Sequence, residues 1–379
     1  MSRSRILFAS MSFLLAVACT SGQDESTPAA ANWRIDSVPL VAIGDNEADS
    51  VPLIGFAIGV TAIGDSQLLV VDRDYHRLTF FDTDGRLVRT VGREGDGPGE
   101  FRFLARFARC GDSLVVQDIE RDSWLVIGQD GEVARQFKPA TPGNARFGTP
   151  YVSTCNQAGA FLYGGWDSLP HVDRPTRARG AVPYWLTDRS GKLTVELGNW
   201  PGSERLLMPG GSGPHPLGKQ PAIALGQGRV YIGTADSFAI QTFNLDGTPG
   251  PTVSKPSVEL QTTPEDIAYS RLMDTLGQSQ DRKEHYIWQW TQFEYPPTVP
   301  AYTDLVVDSD DNLWVREFPR GGADRVRWIV FDPRGNEIGS VYLPVTLEVN
   351  EIGPTTVLGI ETRLDDGAQE VRMYRLYRE

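Results

Sequence analysis

Phe80-Phe81-Asp82-Thr83-Asp84-Gly85-Arg86-Leu87-Val88-Arg89-Thr90-Val91-Gly92 reads as a strand, a tight turn and a second strand, and it runs on into the crossover Arg93-Glu94-Gly95-Asp96-Gly97-Pro98-Gly99-Glu100-Phe101. Asp84-Gly85 is the hairpin signal, because such turns need a positive φ that glycine adopts without a Cβ clash. Turns of the same kind centre on Gly131, Gly191, Gly247 and Gly335, at successive spacings of 46, 60, 56 and 88 residues. That irregularity excludes a strict solenoid and suits four-stranded blades whose connecting loops vary in length.

A short apolar run stands before each turn: Leu68-Leu69-Val70-Val71, Leu114-Val115-Val116, Phe161-Leu162-Tyr163, Val230-Tyr231-Ile232 and Leu313-Trp314-Val315. A sixth, Thr355-Thr356-Val357-Leu358-Gly359-Ile360, follows near the C-terminus. Each reads as the second strand of a blade. Six second strands face only five glycine turns, and the ends of the chain account for the difference. After Ile360 comes one more strand, Val371–Tyr377, while Trp33–Gly44 looks like a fourth strand without its first three. The expected fold class is therefore all-β: a six-bladed β-propeller of four-stranded antiparallel blades over 33–379, closed by the N-terminal strand in the last blade. Closure protects strand edges that an open array would leave unpaired. Five blades followed by an unrelated C-terminal hairpin is the alternative.

Composition agrees with many short strands and turns: 40% of the 379 residues are hydrophobic, with 39 Gly and 26 Pro. Thirty-six Lys and Arg stand against 49 acids, giving a net charge of -13, and no basic cluster is present. Nucleic acid is thus not an expected partner. Residues 1–18 read as a signal peptide, with Arg3 and Arg5 before an apolar stretch too short to span a bilayer. Ala16-Val17-Ala18-Cys19 resembles a bacterial lipoprotein signal, which implies lipidation of Cys19 and a flexible tether over 19–32. Ordinary secretion with a cut after Ala18 is the alternative. Export implies the bacterial cell envelope, on the periplasmic side or at the outer membrane. In that oxidising setting Cys110 and Cys155, each ending a predicted strand before a turn, are expected to form a disulfide, with two reduced thiols as the alternative.

Two stretches break the pattern. Residues 199–221, rich in Gly and Pro, read as a long crossover before the fourth blade. Residues 261–300 read as a helical insertion before the fifth: Thr263-Pro264-Glu265-Asp266 is a helix start, and Tyr286, Trp290 and Phe293 share one face of a second helical run.

Gly92-Arg93-Glu94-Gly95-Asp96-Gly97-Pro98-Gly99-Glu100-Phe101 resembles the Gly-x-Gly-x-Gly-Pro-Gly-x-Phe crossover of NHL-type propellers. The run Pro300–Val315 is similar to the matching strand pair of the bacterial six-bladed propeller lipoproteins in that group. The resemblance implies the fold more than an activity.

Propellers of this kind bind on the face bearing the loops between blades and between second and third strands. Those loops supply Tyr75, His76, Arg93, Glu94, Arg102, Arg121, Trp166, His171, Arg316 and Glu317 as candidate ligand contacts, with 164–183 taken as one such loop. Arg and Trp make large directional contacts suited to a small polar ligand or a protein. No Gly-x-Ser-x-Gly elbow or His-Glu-x-x-His motif is present, and Asp308-x-Asp310-x-Asn312 is a hairpin turn, not a calcium loop. The expected function is a membrane-tethered binding or scaffold module, monomeric, with no catalytic residue, metal or cofactor. The alternative is a metal-dependent lactonase- or hydrolase-type propeller. That chemistry needs carboxylates on the innermost strands, of which Asp304 is the one identified.

Overall fold

Leu68, Leu69, Val70 and Val71 are all buried, yet they divide between two cores: Leu68 and Val70 face one, Leu69 and Val71 the other. A strand sends alternate side chains to opposite faces, so a continuous apolar run means a sheet covered on both sides. The computed structural model describes residues 31–44, 54–143, 151–166, 169–209, 211–256, 259–275 and 278–378. The signal segment, Cys19 and most of the tether lie outside them.

Among the described residues the strands form six sheets, in chain order and almost wholly antiparallel. The first is Ala57–Ile63, Gln67–Asp72, Arg77–Asp82 and Leu87–Val91; the second is Leu104–Cys110, Ser113–Asp118, Ser123–Ile127 and Val133–Phe137. The third is Tyr151–Cys155, Phe161–Gly164, Thr176–Thr187 and Leu193–Met208, with Gly211–Pro214 added at its edge. The fourth is Ala222–Leu225, Arg229–Gly233, Ala239–Asn244 and Val253–Ser254; the fifth is Tyr302–Val307, Leu313–Glu317, Arg325–Phe331 and Glu337–Pro344. The sixth is Leu347–Ile352, Thr356–Thr362 and Gln369–Tyr377, and N-terminal residues pair with its last strand: Val41 opposite Met373 and Ile43 opposite Val371. Ala31–Asn32 runs parallel to the last strand of the fifth sheet.

Each first strand touches the first strand of the next sheet, and Leu347–Ile352 touches Ala57–Ile63. Six hydrophobic clusters fill the spaces between successive sheets, including one between the sixth and the first built from Val41, Ile43, Leu358 and Ile360 against Val60, Leu68 and Phe81. The expected turn glycines sit between third and fourth strands at φ +82°, +83°, +87°, +86° and +88° for Gly85, Gly131, Gly191, Gly247 and Gly335. An added Cβ would meet the preceding sheet each time: Ala42 O at 3.2 Å from Gly85, Phe80 at 3.1 Å from Gly131, Phe137 at 3.0 Å from Gly191, Val195 at 2.7 Å from Gly247 and Val253 at 3.5 Å from Gly335. The side-chainless turn is where one sheet docks on its neighbour. Backbone carbonyls of these turns are then gripped from the preceding sheet, Asp130 O by Arg89 at 2.6 Å and Arg189 O by Arg135 at 2.5 Å.

Cys110 and Cys155 form a disulfide between the first strands of the second and third sheets, with Cα atoms 5.3 Å apart at a sequence separation of 45. A loop of that size constrains the unfolded chain by about 4 kcal/mol in the loop-entropy picture.

Two loop readings are corrected. Residues 199–221 are not one long crossover, and 164–183 is loop only in its first part, because Thr176–Thr187 and Leu193–Met208 make one long hairpin. Its prolines and glycines are absorbed by register shifts between Arg179 and Ala181 and between Pro183 and Trp185, and by Gly198 at φ +82°. The insertion does carry two helices, α1 (Pro264–Thr275) and α2 (Gln280–Trp290). Thr263 and Asp266 cap α1 reciprocally: Thr263 N donates to Asp266 Oδ2 at 2.9 Å, and Asp266 N to Thr263 Oγ1 at 3.3 Å. The second helix starts before Tyr286 and stops short of Phe293, which packs instead on the buried His215 ring at 4.8 Å. Trp290 turns toward α1, donating to Asp274 Oδ2 at 3.1 Å, so this one ring of the expected stripe joins helix to helix.

Gly247→Ala should lower the stability by about 3 kcal/mol, combining the left-handed backbone cost with a forced contact on Val195. Gly64→Ala, at φ +58° with nothing within 4 Å, should cost only about 1 kcal/mol. Chemical denaturation of both variants checks the difference, and equal losses would contradict docking through the turn.

Candidate functional site

The ends of all six first strands line one large pocket, and the beginnings of three of them, in the first, second and sixth sheets, border a smaller one; these are the larger and the smaller mouth. The mouth at the strand beginnings is a pocket of ≈ 370 Å³, bordered by Phe56, Arg73, Arg106, Ile119, Trp166 and Glu348. It lies among the loops from which the sequence drew its candidates. Three apolar side chains stand open to water around it: Phe56 39%, Ile119 38% and Trp166 48% exposed. The Arg73 guanidinium lies 3.9 Å above the Phe56 ring and 5.4 Å from that of Phe103, so part of the aromatic surface already carries a cation.

Glu348 is the carboxylate of this pocket, and among the described residues its side chain makes no hydrogen bond or ion pair. Although the residue is exposed, partial desolvation by the strands around it pushes its pKa up, Asp304 adds to the rise, and Arg316 and Arg106 oppose it. Asp304 itself is engaged, accepting from Thr303 Oγ1 at 2.7 Å and Arg316 Nη1 at 3.2 Å.

The opposite mouth is larger, ≈ 1210 Å³; Cys110 and Cys155 line it, but none of the ten expected ligand contacts does. There Glu351 gathers three sheets: Thr61 Oγ1 donates to Oε2 at 2.6 Å, Ala62 N at 3.1 Å, and Arg109 Nη1 to both oxygens at 3.1 Å. Arg109 also donates to Ala62 O at 2.8 Å. With side chains 36% and 29% exposed, the Arg109–Glu351 pair contributes about 1 kcal/mol or less, but it joins the sixth sheet to the first and second.

The sequence candidates do not converge on one place. Arg93, Glu94, Arg102 and Arg121 belong to a self-neutralising crossover: Arg93 pairs with Glu100 at 2.7 Å, and Arg102 with Asp96 at 2.5 Å and Glu94 at 3.9 Å. Arg121 reaches Gly95 O at 2.6 Å and Asp118 at 3.5 Å. The backbone N–H of Gly97, and then Arg93, hold the Glu100 carboxyl below its usual range, and Arg102 does the same for Asp96. Tyr75 lies under the Arg77 guanidinium at 4.4 Å, His76 takes φ +49° with a buried Nδ1, and His171 is exposed in the loop before Thr176. Arg316 ties sheets together through Val345 O at 2.7 Å, and Glu317 sits apart from the mouth beside Arg327 at 3.9 Å. Burial pushes the Glu317 pKa up, against the pull of Arg327 and Lys255. Of the ten, Trp166 borders the smaller mouth and Arg316 lies behind Asp304.

Asp72 and Asp118, in the loops expected to meet ligand, are fully buried at the ends of second strands. Asp72 accepts from Gly55 N at 3.0 Å and Phe56 N at 3.2 Å, and Asp118 from Arg102 N at 2.9 Å and Phe103 N at 3.0 Å. Both satisfy the backbone of the incoming crossover, which is a structural use of their charge. Glu348 and Glu351 escaped the sequence reading because Leu347–Ile352 was not recognised as the sixth inner strand. A partial signal was present: Leu347, Val349 and Ile352 stand directly before Thr355–Ile360, with the alternation broken at Asn350-Glu351.

A divalent metal of the lactonase type would need several oxygen donors converging from the inner strands. Among the described residues no group of three or more His, Cys, Asp or Glu comes together, and Asp304 is already hydrogen-bonded to Thr303 and Arg316. The donor set does not fit a resident metal.

With this geometry in hand, comparison with known proteins defines the class. A family model described as a six-bladed β-propeller matches residues 53–119. No curated protein matches the chain. A crystal structure of a member of the DUF4221 family from Bacteroides vulgatus superposes with a TM-score of 0.52 at 10% identity, covering 92% of this chain and 99% of that one. A protein of Bacteroides fragilis described as exported matches at TM-score 0.43 and 12% identity, over 92% of this chain and 95% of that one. Regucalcin from Agrobacterium tumefaciens, a calcium-binding protein, matches at TM-score 0.43 and 12% identity, over 92% and 97%. The fold is a β-propeller. Among the described residues no helix is long and apolar enough to cross a membrane.

Glu348→Gln tests the electrostatics of the smaller mouth. A carboxyl whose folded pKa is raised contributes least at high pH, because stability is lost as pH climbs from the unfolded value through the folded one. The variant should therefore melt at the same temperature as wild type near pH 4 and higher than wild type near pH 8. Melting curves at the two pH values check this, and an equal shift at both would contradict it.

Proposed function

We propose that the six sheets are the blades of a six-bladed propeller, closed where Val41–Ile43 supplies the outer strand of the last blade. The chain is held at the bacterial envelope through a lipidated Cys19 and acts as a binding module without chemistry of its own. Its ligand is small, with a flat apolar body and a head that donates hydrogen bonds, and it binds at the smaller mouth. One observation carries this reading: three exposed apolar side chains, Phe56, Ile119 and Trp166, border the same pocket as Glu348, a carboxylate without a hydrogen bond among the described residues. Aromatic surface supplies affinity for a flat body, and a lone carboxylate orients a donor. The similarity of Pro300–Val315 to the strand pair of bacterial propeller lipoproteins and the Cys19 context support the envelope address.

Thermal-shift measurements with aromatic amines and amides, phenethylamine and tryptophan amide among them, test the reading. A ligand at a hundred times its Kd stabilises the fold by about 2.7 kcal/mol. Wild type should gain in melting temperature, while Trp166→Ala and Glu348→Gln should lose most of that gain. A shift that survives in both variants would place the binding elsewhere and contradict the proposal.

A further inference from the structure

We infer that the larger mouth is a second binding site, for a small neutral polyhydroxylated ligand of the monosaccharide or disaccharide class; this does not depend on what the smaller mouth takes. The inner strands give this cavity of ≈ 1210 Å³ two unlike walls. Asn350 and Glu351 of the sixth sheet, Thr61 of the first, Arg109 of the second and Thr154 of the third bring hydrogen-bonding side chains from four consecutive inner strands. The inner strands of the fourth and fifth sheets bring only apolar ones, Ile223, Leu305 and Val307 among them. A sugar is divided in the same way, with hydroxyls around its edge and C–H groups on its faces, so it can meet both walls at once.

The polar wall holds more hydrogen-bonding capacity than the protein uses. Arg109 commits Nη1 to Glu351, Thr61 and Ala62 and Nε to Gly111 O at 3.2 Å, while Nη2 makes no hydrogen bond among the described residues. The side chains of Asn350 and Thr154 make none there either. In the first, second and fifth inner strands a register shift follows the first residue pair, at Ala57/Gly59, Leu104/Arg106 and Tyr302/Asp304. In the sixth it is delayed to Val349/Glu351, which makes Asn350 the extra residue at the level of the cavity. A bulge re-aims the side chain it carries. The Cys110–Cys155 disulfide stands directly after Arg109 and Thr154 and ties their strands together, so two of the polar groups are held in place before a ligand arrives.

Charge selects a neutral ligand. The lining carries three arginines, Arg109, Arg135 and Arg189, and three acids, Asp112, Asp308 and Glu351, so it is balanced within a chain of net charge -13. Because Arg109 and Glu351 lie 3.1 Å apart, an anion brought to the arginine meets the carboxylate, and a cation brought to the carboxylate meets the guanidinium. A hydroxyl, which both donates and accepts, suits the two together.

Titration calorimetry of the whole protein with glucose, galactose, mannose, N-acetylglucosamine, maltose and lactose tests the site. At least one of these should bind with a Kd of about 1 mM or tighter. Glucuronate and glucosamine should bind about tenfold more weakly than the tightest of them. Asn350→Leu and Thr154→Val should each weaken that binding about tenfold without changing the circular dichroism. A nitroxide on Gln227→Cys, at an exposed residue of the lining, locates the ligand without altering the polar wall. It should broaden the proton resonances of the bound sugar several-fold more than a nitroxide on Ile119→Cys beside the smaller mouth. Any of four results would overturn the proposal: no binding by any of these sugars, charged analogues binding as tightly as the neutral ones, full binding in both wall variants, or stronger broadening from the Ile119→Cys label.

Discussion

Packing of sheet on sheet through side-chainless turns is the constraint on which the molecule depends. Every sheet is covered on both faces, so each must present apolar side chains in both directions and come close to two neighbours at once. Gly85, Gly131, Gly191, Gly247 and Gly335 solve the closest approach, because a positive φ and a missing Cβ are both required where the turn meets the preceding sheet. Large residues fill what remains: Trp124, Trp185, Trp314 and Trp328 are completely enclosed. A slip of one residue in any second strand would exchange the two cores it serves, which makes register strongly determined.

Charge plays its main part in binding loops to this frame. Asp72 and Asp118 satisfy the backbone of the crossovers that enter their sheets, Asp308 holds its own hairpin and accepts from Trp314 Nε1 at 2.9 Å and Arg378 at 3.0 Å, and Glu351 draws three sheets together. This is why charged residues read from the sequence as ligand contacts turn out to be paired within the protein. An Arg beside an Asp in a loop looks the same on paper whether it meets ligand or neighbour; only the fold separates Arg102, locked on Asp96, from Arg73, stacked on Phe56 beside the channel.

Legibility in the sequence followed periodicity. Turn glycines and second strands stood out because each carries a local chemical requirement, a positive φ or two-sided burial. The long hairpin of the third sheet did not, since its glycines and prolines, usually loop markers, sit at bulges. Leu347–Ile352 was missed because two glutamates and an asparagine interrupt its alternation, and those polar residues are the ones that face the channel. Functional positions are where pattern and burial disagree, so the smaller mouth became visible only when Glu348 was placed beside Phe56 and Trp166.

The central proposal, that Val41–Ile43 and Gln369–Tyr377 share one blade and so close the ring, reduces to the pairing of Ala42 with Arg372. Directly opposed residues of antiparallel strands have Cα atoms about 5 Å apart, within the span of a disulfide. Mild oxidation of the folded Ala42→Cys, Arg372→Cys double variant, followed by peptide mass analysis, is the direct measurement. The account predicts near-complete cross-linking between the two new cysteines in a protein with unaltered melting. A folded protein in which these cysteines stay reduced would contradict it.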